Sequence, residues 1–158
     1  MALALLRVDD RLVHGQVVIG WGRPLAARFI VLVDDGVRGS AWEQDLYRMA
    51  MPDGVEIIFA STAEAIDHLA EWAADDRPGI LLTGDLTAMA ALHTADSALV
   101  HNINLGGIHH RTGRTERLRY LYLDEAEATL LTRMAGDGAV ITAQDLPTAP
   151  PVPLRELL

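Results

Sequence analysis

The chain has 158 residues, half of them apolar, which is enough for one buried core and too hydrophobic for a disordered chain. Its 13 basic and 22 acidic residues give a net charge of −9, the wrong sign for a broad nucleic-acid surface. Every basic residue is arginine and cysteine is absent, so lysine Schiff bases, Walker-A loops, thiol nucleophiles, disulfides and cysteine-ligated metal centres are all excluded.

Short apolar runs alternate with amphipathic stretches along the chain. The expected strands are Ala2–Val8, Arg28–Val33, Val55–Ala60, Gly79–Thr83, Ala98–Asn104, Leu118–Leu123 and Ala139–Ala143. Several are continuous in Val, Ile and Leu, as strands covered on both faces are. Helices are expected at His14–Trp21, Ser40–Met51, Ser61–Ala74, Asp85–Leu92 and Asp124–Ala135. Ser61 with Glu64, and Asp124 with Glu127, have capping-box spacing; Pro52 and Gly136 stop their helices. The alternation predicts an α/β fold: a doubly wound, mostly parallel sheet of about seven strands with helices on both faces.

The segment Pro147–Pro153 holds four prolines in seven residues and is neither regular helix nor central strand. A surface path ending in a short turn at Leu154–Leu158 is expected. No internal repeat or linker divides the chain, so residues 1–158 read as one domain. No apolar run approaches the roughly 20 residues of a membrane span. Met1–Leu6 leads directly into Arg7, Asp9, Asp10 and Arg11, and reads as a strand rather than an export signal. A cytoplasmic location is the expectation.

In open α/β sheets the reactive crevice lies beyond the carboxyl ends of the strands. The loop leaving the first strand is Arg7-Val8-Asp9-Asp10-Arg11-Leu12-Val13-His14-Gly15-Gln16. A helix start there offers free backbone N–H groups and a positive dipole end. Gly15 lets an anion approach the backbone. Arg7 and Arg11 can present planar, bidentate donors to phosphate oxygens. His14 has the chemistry of a nucleophile toward a phosphoryl group, and either Asp9 or Asp10 can set its tautomer or hold an arginine. The plainer alternative is a solvated salt-bridge cluster beside a surface histidine.

The run RVDDRLVHGQV resembles the active-site signature of the enzyme IIB components of the mannose/fructose/sorbose class of the bacterial phosphoenolpyruvate-dependent sugar phosphotransferase system. The stretch Phe29–Asp35 resembles that family's second strand and its exit. The stretch Asn102–Ile108 resembles its Asn-(Val/Ile)-Gly-Gly segment, so the likeness runs along essentially the whole chain. The resemblance implies a phosphocarrier. His14 would accept a phosphoryl group on Nδ1 from a phosphohistidine of a IIA domain and pass it to a sugar entering through membrane components IIC and IID. It implies phosphate-binding roles for Arg7, Arg11, Gly15 and Gln16. Supporting roles fall to Asp9, Asp10, Asn104, Gly106 and Gly107. No cofactor and no metal is implied, nor nucleic acid as a partner. Association with the inner face of the membrane would come through IIC and IID, and a homo-oligomer is compatible with the reading.

The chain departs from the pattern in two places. Asp34-Asp35-Gly36 stands where the family often has Asn-Asp, and His109-His110-Arg111-Thr112-Gly113-Arg114 stands where lysines are usual. His109 and His110 are sequence neighbours, which point opposite ways on an extended chain, so a shared metal ion is not expected. His101 falls near the same strand exit, and His68 and His93 fall in helices as structural or exposed residues. Arg111, Arg114, Arg117 and Arg119 form the one basic cluster, read either as a docking surface for an acidic partner or as a solvated strand edge. Asp34 and Asp35 bring a phosphoaspartate receiver to mind, but lysine is absent and the third strand ends in Phe59-Ala60-Ser61. Trp21, Trp42 and Trp72 are expected to pack against the sheet. Two other functions share the fold: a regulatory protein whose His14 phosphorylation state signals to a partner, and a small-molecule-binding domain with no covalent step.

Overall fold

The computed structural model describes residues 2–158. The strands are β1 (Leu3–Val8), β2 (Phe29–Val33), β3 (Glu56–Ala60), β4 (Gly79–Thr83), β5 (Asn102–Leu105), β6 (Thr115–Leu118), β7 (Leu121–Leu123), β8 (Val140–Ala143) and β9 (Val152–Pro153). The α-helices are α1 (Asp35–Arg38), α2 (Ala41–Ala50), α3 (Thr62–Ala73), α4 (Leu86–Ala95) and α5 (Glu125–Gly136). A π-helical turn spans Gln16–Trp21 and a 3₁₀ turn spans Leu154–Glu156.

One seven-stranded sheet runs in the order β3-β2-β4-β1-β5-β8-β9, parallel except for β9. Its central strands are apolar on both faces, as covered strands must be. Phe29, Val31 and Val33 join a core beneath α3, α4 and α5, while Ile30 and Leu32 join a second core beneath the π-helical turn and α1. Burying each such side chain contributes about 1.5–3 kcal/mol relative to leaving it in water. The two predicted capping boxes form, Ser61 with Glu64 and Asp124 with Glu127, and they fix where α3 and α5 begin.

Three expectations are corrected. The run Leu118–Leu123 is no sheet strand. It bends at Arg119–Tyr120, and β6 and β7 pair antiparallel as a separate hairpin that buries Leu121 and Leu123 in the first core. The place of that strand is taken by β9, which lies at the outer edge, where proline's missing N–H is harmless. The strand expected from Ala98 starts at Asn102, because the Asp96 side chain accepts from the Leu99 N–H and its carbonyl from the Val100 N–H, closing a turn. Trp42 does not pack on the sheet: it is 66 % exposed, whereas Trp21 and Trp72 are buried.

The chain leaves β1 toward β2 on one side of the sheet and leaves β5 toward β8 on the other. The two strands pair only at their carboxyl ends, Arg7 opposite Asn104 and Val8 opposite Leu105. Connections that diverge in this way open a crevice between the strand ends.

Candidate functional site

The register of β1 decides what enters this crevice. Leu6 and Val8 face the helix-covered core, so Arg7 between them projects to the opposite face. There it is fully enclosed, with Trp21 across its guanidinium at 5.1 Å. Its Nη1 donates to Asn104 Oδ1 and to the Gln144 carbonyl at 2.8 Å. Its Nη2 donates to Asp9 Oδ2 at 3.1 Å and to the Asp145 carbonyl at 3.2 Å. Burial pulls Arg7 below its ordinary pKa and Asp9 opposes that pull. With no exposed surface and both terminal nitrogens engaged, Arg7 stands behind the mouth of the crevice rather than in it.

Asp9 is the hub. It is buried, and its Oδ1 accepts from the Arg11 backbone N–H at 3.1 Å and from Arg11 Nε at 2.9 Å. Its Oδ2 accepts from Arg11 Nη2 at 2.7 Å as well as from Arg7. Burial raises the pKa of this carboxyl, but His14 and the two arginines outweigh it, and the net result is far below the ordinary carboxylate range. Asp9 therefore stays ionised. Arg11 is half-buried, and its pKa is raised by the hydrogen bonds to Asp9. Its Nη1 makes no hydrogen bond among the described residues.

His14 sits at the mouth of this network. Its Nε2 is enclosed and faces Asp9 Oδ2 at 3.4 Å, too far for a well-formed hydrogen bond, with no other partner. Its Nδ1 accepts from the Gln16 backbone N–H at 3.2 Å. The geometry suits the tautomer with its proton on Nε2, beside the carboxylate, and a lone pair on Nδ1. Gly15 has open space where a side chain would stand.

The loop carrying these residues is held from both sides. The Asp9 N–H donates to the Thr83 carbonyl at the end of β4, and the Asp10 N–H to the Gly107 carbonyl beyond β5. Leu12 adopts a left-handed conformation, φ 60°, at a cost of about 1–2 kcal/mol. Strain of this kind is typical of functional loops held by their surroundings. The glycines make room for the loop. A Cβ on Gly106 would lie 2.3 Å from Arg7 Nη2 and 2.5 Å from Asp9 Oδ2, and one on Gly107 would lie 3.0 Å from Arg11 Nε. Asp10, the other candidate for His14, instead holds His109: its Oδ2 accepts from the His109 backbone N–H at 2.8 Å and its Oδ1 lies 2.5 Å from His109 Nδ1.

The structure thus gathers His14, Arg7, Asp9, Arg11, Gln16, Asn104, Gly106 and Gly107 in one place. Gln144, Asp145 and the indole of Trp21 also belong to it and were not singled out from the sequence. Trp21 Nε1 donates to the Asp145 carbonyl at 3.1 Å, and Gln16 Nε2 reaches Asp145 Oδ2 at 3.5 Å. Gln144 and Asp145 follow β8, so the rule that sites lie at strand carboxyl ends could have found them. The basic cluster divides: Arg114 forks onto Glu127 at 2.9 Å and Arg117 donates to the Leu157 carbonyl, while Arg111 and Arg119 stay exposed. His93 is buried, its Nδ1 2.6 Å from the Val100 carbonyl, and His68 is exposed beside Glu71. No group of three or more metal-ligating side chains occurs among the described residues, and no helix is long and apolar enough to cross a membrane.

The family model for the sorbose-subfamily IIB component of the phosphotransferase system matches residues 3–158. The N-acetylgalactosamine-specific phosphotransferase enzyme IIB component 2 of Escherichia coli K12 is 28 % identical over 156 residues, spanning 99 % of this chain and 98 % of that one. The mannose-specific EIIAB component of the same strain is 24 % identical over 159 residues, spanning 100 % of this chain but 49 % of that longer protein. The crystal structure of the IIBSor domain of the Klebsiella pneumoniae sorbose permease superimposes with a TM-score of 0.89 at 23 % identity, over 99 % of this chain and 96 % of that one. The chain belongs to the sorbose-subfamily IIB components of the sugar phosphotransferase system, and it is a phosphotransferase.

Proposed function

We propose that His14 carries the phosphoryl group, taking it from a phosphohistidine of a IIA domain and giving it to a sugar held by membrane components IIC and IID. The observation that carries this reading is the orientation of one imidazole: Nε2 is turned inward to Asp9, and Nδ1 faces the Gln16 N–H at the mouth of the crevice. The relatives whose names specify N-acetylgalactosamine and mannose support a sugar as acceptor, and the name EIIAB supports a IIA donor. The protein acts on this reading in the cytoplasm, against the inner face of the membrane.

In the first step the Nδ1 lone pair attacks phosphorus in line. The P–N bond of the donor breaks, and its electron pair returns to the donor imidazole. Positive charge builds on the His14 ring as the new P–Nδ1 bond forms, and the Asp9 carboxylate behind Nε2 offsets it. Arg11 Nη1 and the N–H groups of Gly15 and Gln16 receive the charge spread over the phosphoryl oxygens. In the second step a sugar hydroxyl oxygen attacks phosphorus, the P–Nδ1 bond breaks with its electron pair returning to Nδ1, and the hydroxyl proton passes to water, which leaves His14 neutral with its proton on Nε2. Arg7 and Asn104 act from behind, keeping Asp9 in place.

The test supplies phosphoenolpyruvate, the general phosphotransferase proteins and a mannose- or sorbose-class IIA domain. Acid-labile, base-stable phosphate should appear on His14 by phosphorus NMR and mass mapping, and should be absent from His14→Ala. It should chase onto sugar when membranes carrying IIC and IID are added. Phosphate that forms but never chases would favour the signalling role. No phosphate with a competent IIA would overturn the carrier assignment.

A further inference from the structure

Helix α2 is anomalous. It is amphipathic, yet none of its residues is fully buried. It is tethered instead by Gln44, which donates to the Val37 and Arg38 carbonyls, and by Tyr47, which packs against Phe59. Trp42, Leu46 and Met49 fall at i, i+4 and i+7 on one outward face and are 66 %, 55 % and 82 % exposed. Tryptophan and methionine are the residue types that interfaces concentrate, and an exposed contiguous apolar face marks an interaction site.

Two further observations say what covers it. The first is position. A groove of about 720 Å³ runs between α2 and the loop residues Leu12 and Val13, which immediately precede His14. A partner seated there reaches the phosphoryl site. The second is charge. The carboxylates of Asp34 and Glu43 line the groove and form no ion pair among the described residues. The nearby arginines are already taken, Arg38 by Glu64 at 2.8 Å and Arg48 by Asp45 at 2.9 Å. Together with burial, Glu43 and Asp34 hold the Tyr47 pKa above its ordinary value, as a negative local field does. The groove is therefore apolar with an acidic lining, and its complement is basic and apolar. Cytoplasmic loops of membrane proteins have that composition: they are enriched in Lys and Arg close to apolar helix ends.

We infer that the Trp42–Leu46–Met49 face of α2, with the groove beside Leu12 and Val13, docks a basic, amphipathic cytoplasmic segment of the membrane component that receives the phosphoryl group. This rests on the carrier role proposed above. It also divides the surroundings of the site by chemistry, because the exposed Arg111 and Arg119 lie on the hairpin side, which is left for a partner of opposite sign.

The experiment compares wild type, Trp42→Ala and Glu43→Arg in two reactions. One is phosphorylation of His14 by a phosphorylated mannose- or sorbose-class IIA domain. The other is transfer to sugar on inverted vesicles carrying a IIC/IID pair of that class. For both variants the concentration giving half-maximal sugar phosphorylation should rise about tenfold, the loss expected of an interface anchor. The IIA reaction should stay within about twofold, as for a surface substitution away from its contacts. Flotation of the unphosphorylated chain with the same vesicles reads docking without chemistry, and His14→Ala should float as wild type does. Failure of wild type to be phosphorylated would strike the carrier role and leave the flotation result standing. Unchanged vesicle transfer and flotation in both variants would overturn the docking surface. So would a loss in the IIA reaction with vesicle transfer retained, since it would seat the donor on α2.

Discussion

His109 grips both oxygens of Asp10, through its backbone N–H at 2.8 Å and its Nδ1 at 2.5 Å, and so ties the loop after β5 to the loop that carries His14. The His109 carbonyl in turn accepts from Arg114 Nη1, and Arg114 is forked onto Glu127, whose carboxylate closes the capping box of α5. A string of polar contacts thus runs from a helix start to the loop that carries His14. Replacing His109 by Ala should leave the fold intact by circular dichroism and slow His14 phosphorylation about three- to tenfold, an effect of loop placement rather than chemistry. His109→Asn, which can restore one side-chain donor to Asp10, should recover much of the rate. Equal rates in wild type and His109→Ala would mean that the loop holds its shape without the clamp.

Arg11→Ala should reduce the phosphorylation rate more than His109→Ala does, by about 10²-fold or more, because the exposed Nη1 is the cation nearest the incoming charge. Stability should fall only modestly, since Arg11 is half-exposed and Asp9 keeps Arg7 as a partner. Arg11→Lys should not restore the wild-type rate, because an ammonium group cannot reproduce the fork onto Asp9. Rapid-quench measurement of phosphate incorporation, paired with urea unfolding, separates the two effects.

Arg7 should behave oppositely. Arg7→Met removes one partner of a buried ion pair and leaves Asn104 and the carbonyls of Gln144 and Asp145 without their donor. The expected loss is about 3–5 kcal/mol of unfolding free energy. Gly106→Ala forces a methyl group into the same contact, 2.3 Å from Arg7 Nη2, and should cost about 1–3 kcal/mol. Both are read as a lower urea midpoint. A stable Arg7→Met variant would show that the network reorganises around the gap.

Acid should act through Asp9. Its pKa is depressed in the folded state, so its ionised form contributes stability at every pH above the ordinary carboxylate value of about 3.9. That contribution declines as the pH falls below this value and is lost only on passing the folded pKa. Unfolding titrations should therefore show little dependence on Asp9 from pH 5 to 8, in wild type against Asp9→Asn, and convergence of the two only under strong acid.

Much of the site was legible because its chemistry is local in sequence. Seven of the ten residues expected to form it lie between Arg7 and Gln16, where a strand exit fixes their neighbourhood. Their division of labour was not legible. Arg7 and Arg11 are alike in type, and only strand register shows that one projects into the interior while the other reaches the mouth of the crevice. Asp9 and Asp10 are adjacent, and choosing between them needs the path of the β5 loop, which supplies His109. Gln144 and Asp145 were missed because they act largely through backbone carbonyls, which carry no side-chain signature. The exposure of Trp42 was missed for a related reason: amphipathicity shows that a helix has an apolar face but not whether the fold provides something to cover it.

The hydrogen bonds from Arg7 to the Gln144 and Asp145 carbonyls cross 137 and 138 positions of chain. The guanidinium carried by β1 is thus satisfied only when the segment just beyond β8 has come into place. A nascent or truncated polypeptide that lacks the segment after β8 would hold a histidine loop with an unanchored support. On the carrier role proposed above, acceptance of a phosphoryl group is thereby tied to closure of this long-range contact, and chains in which it is open would not draw phosphoryl groups from the donor.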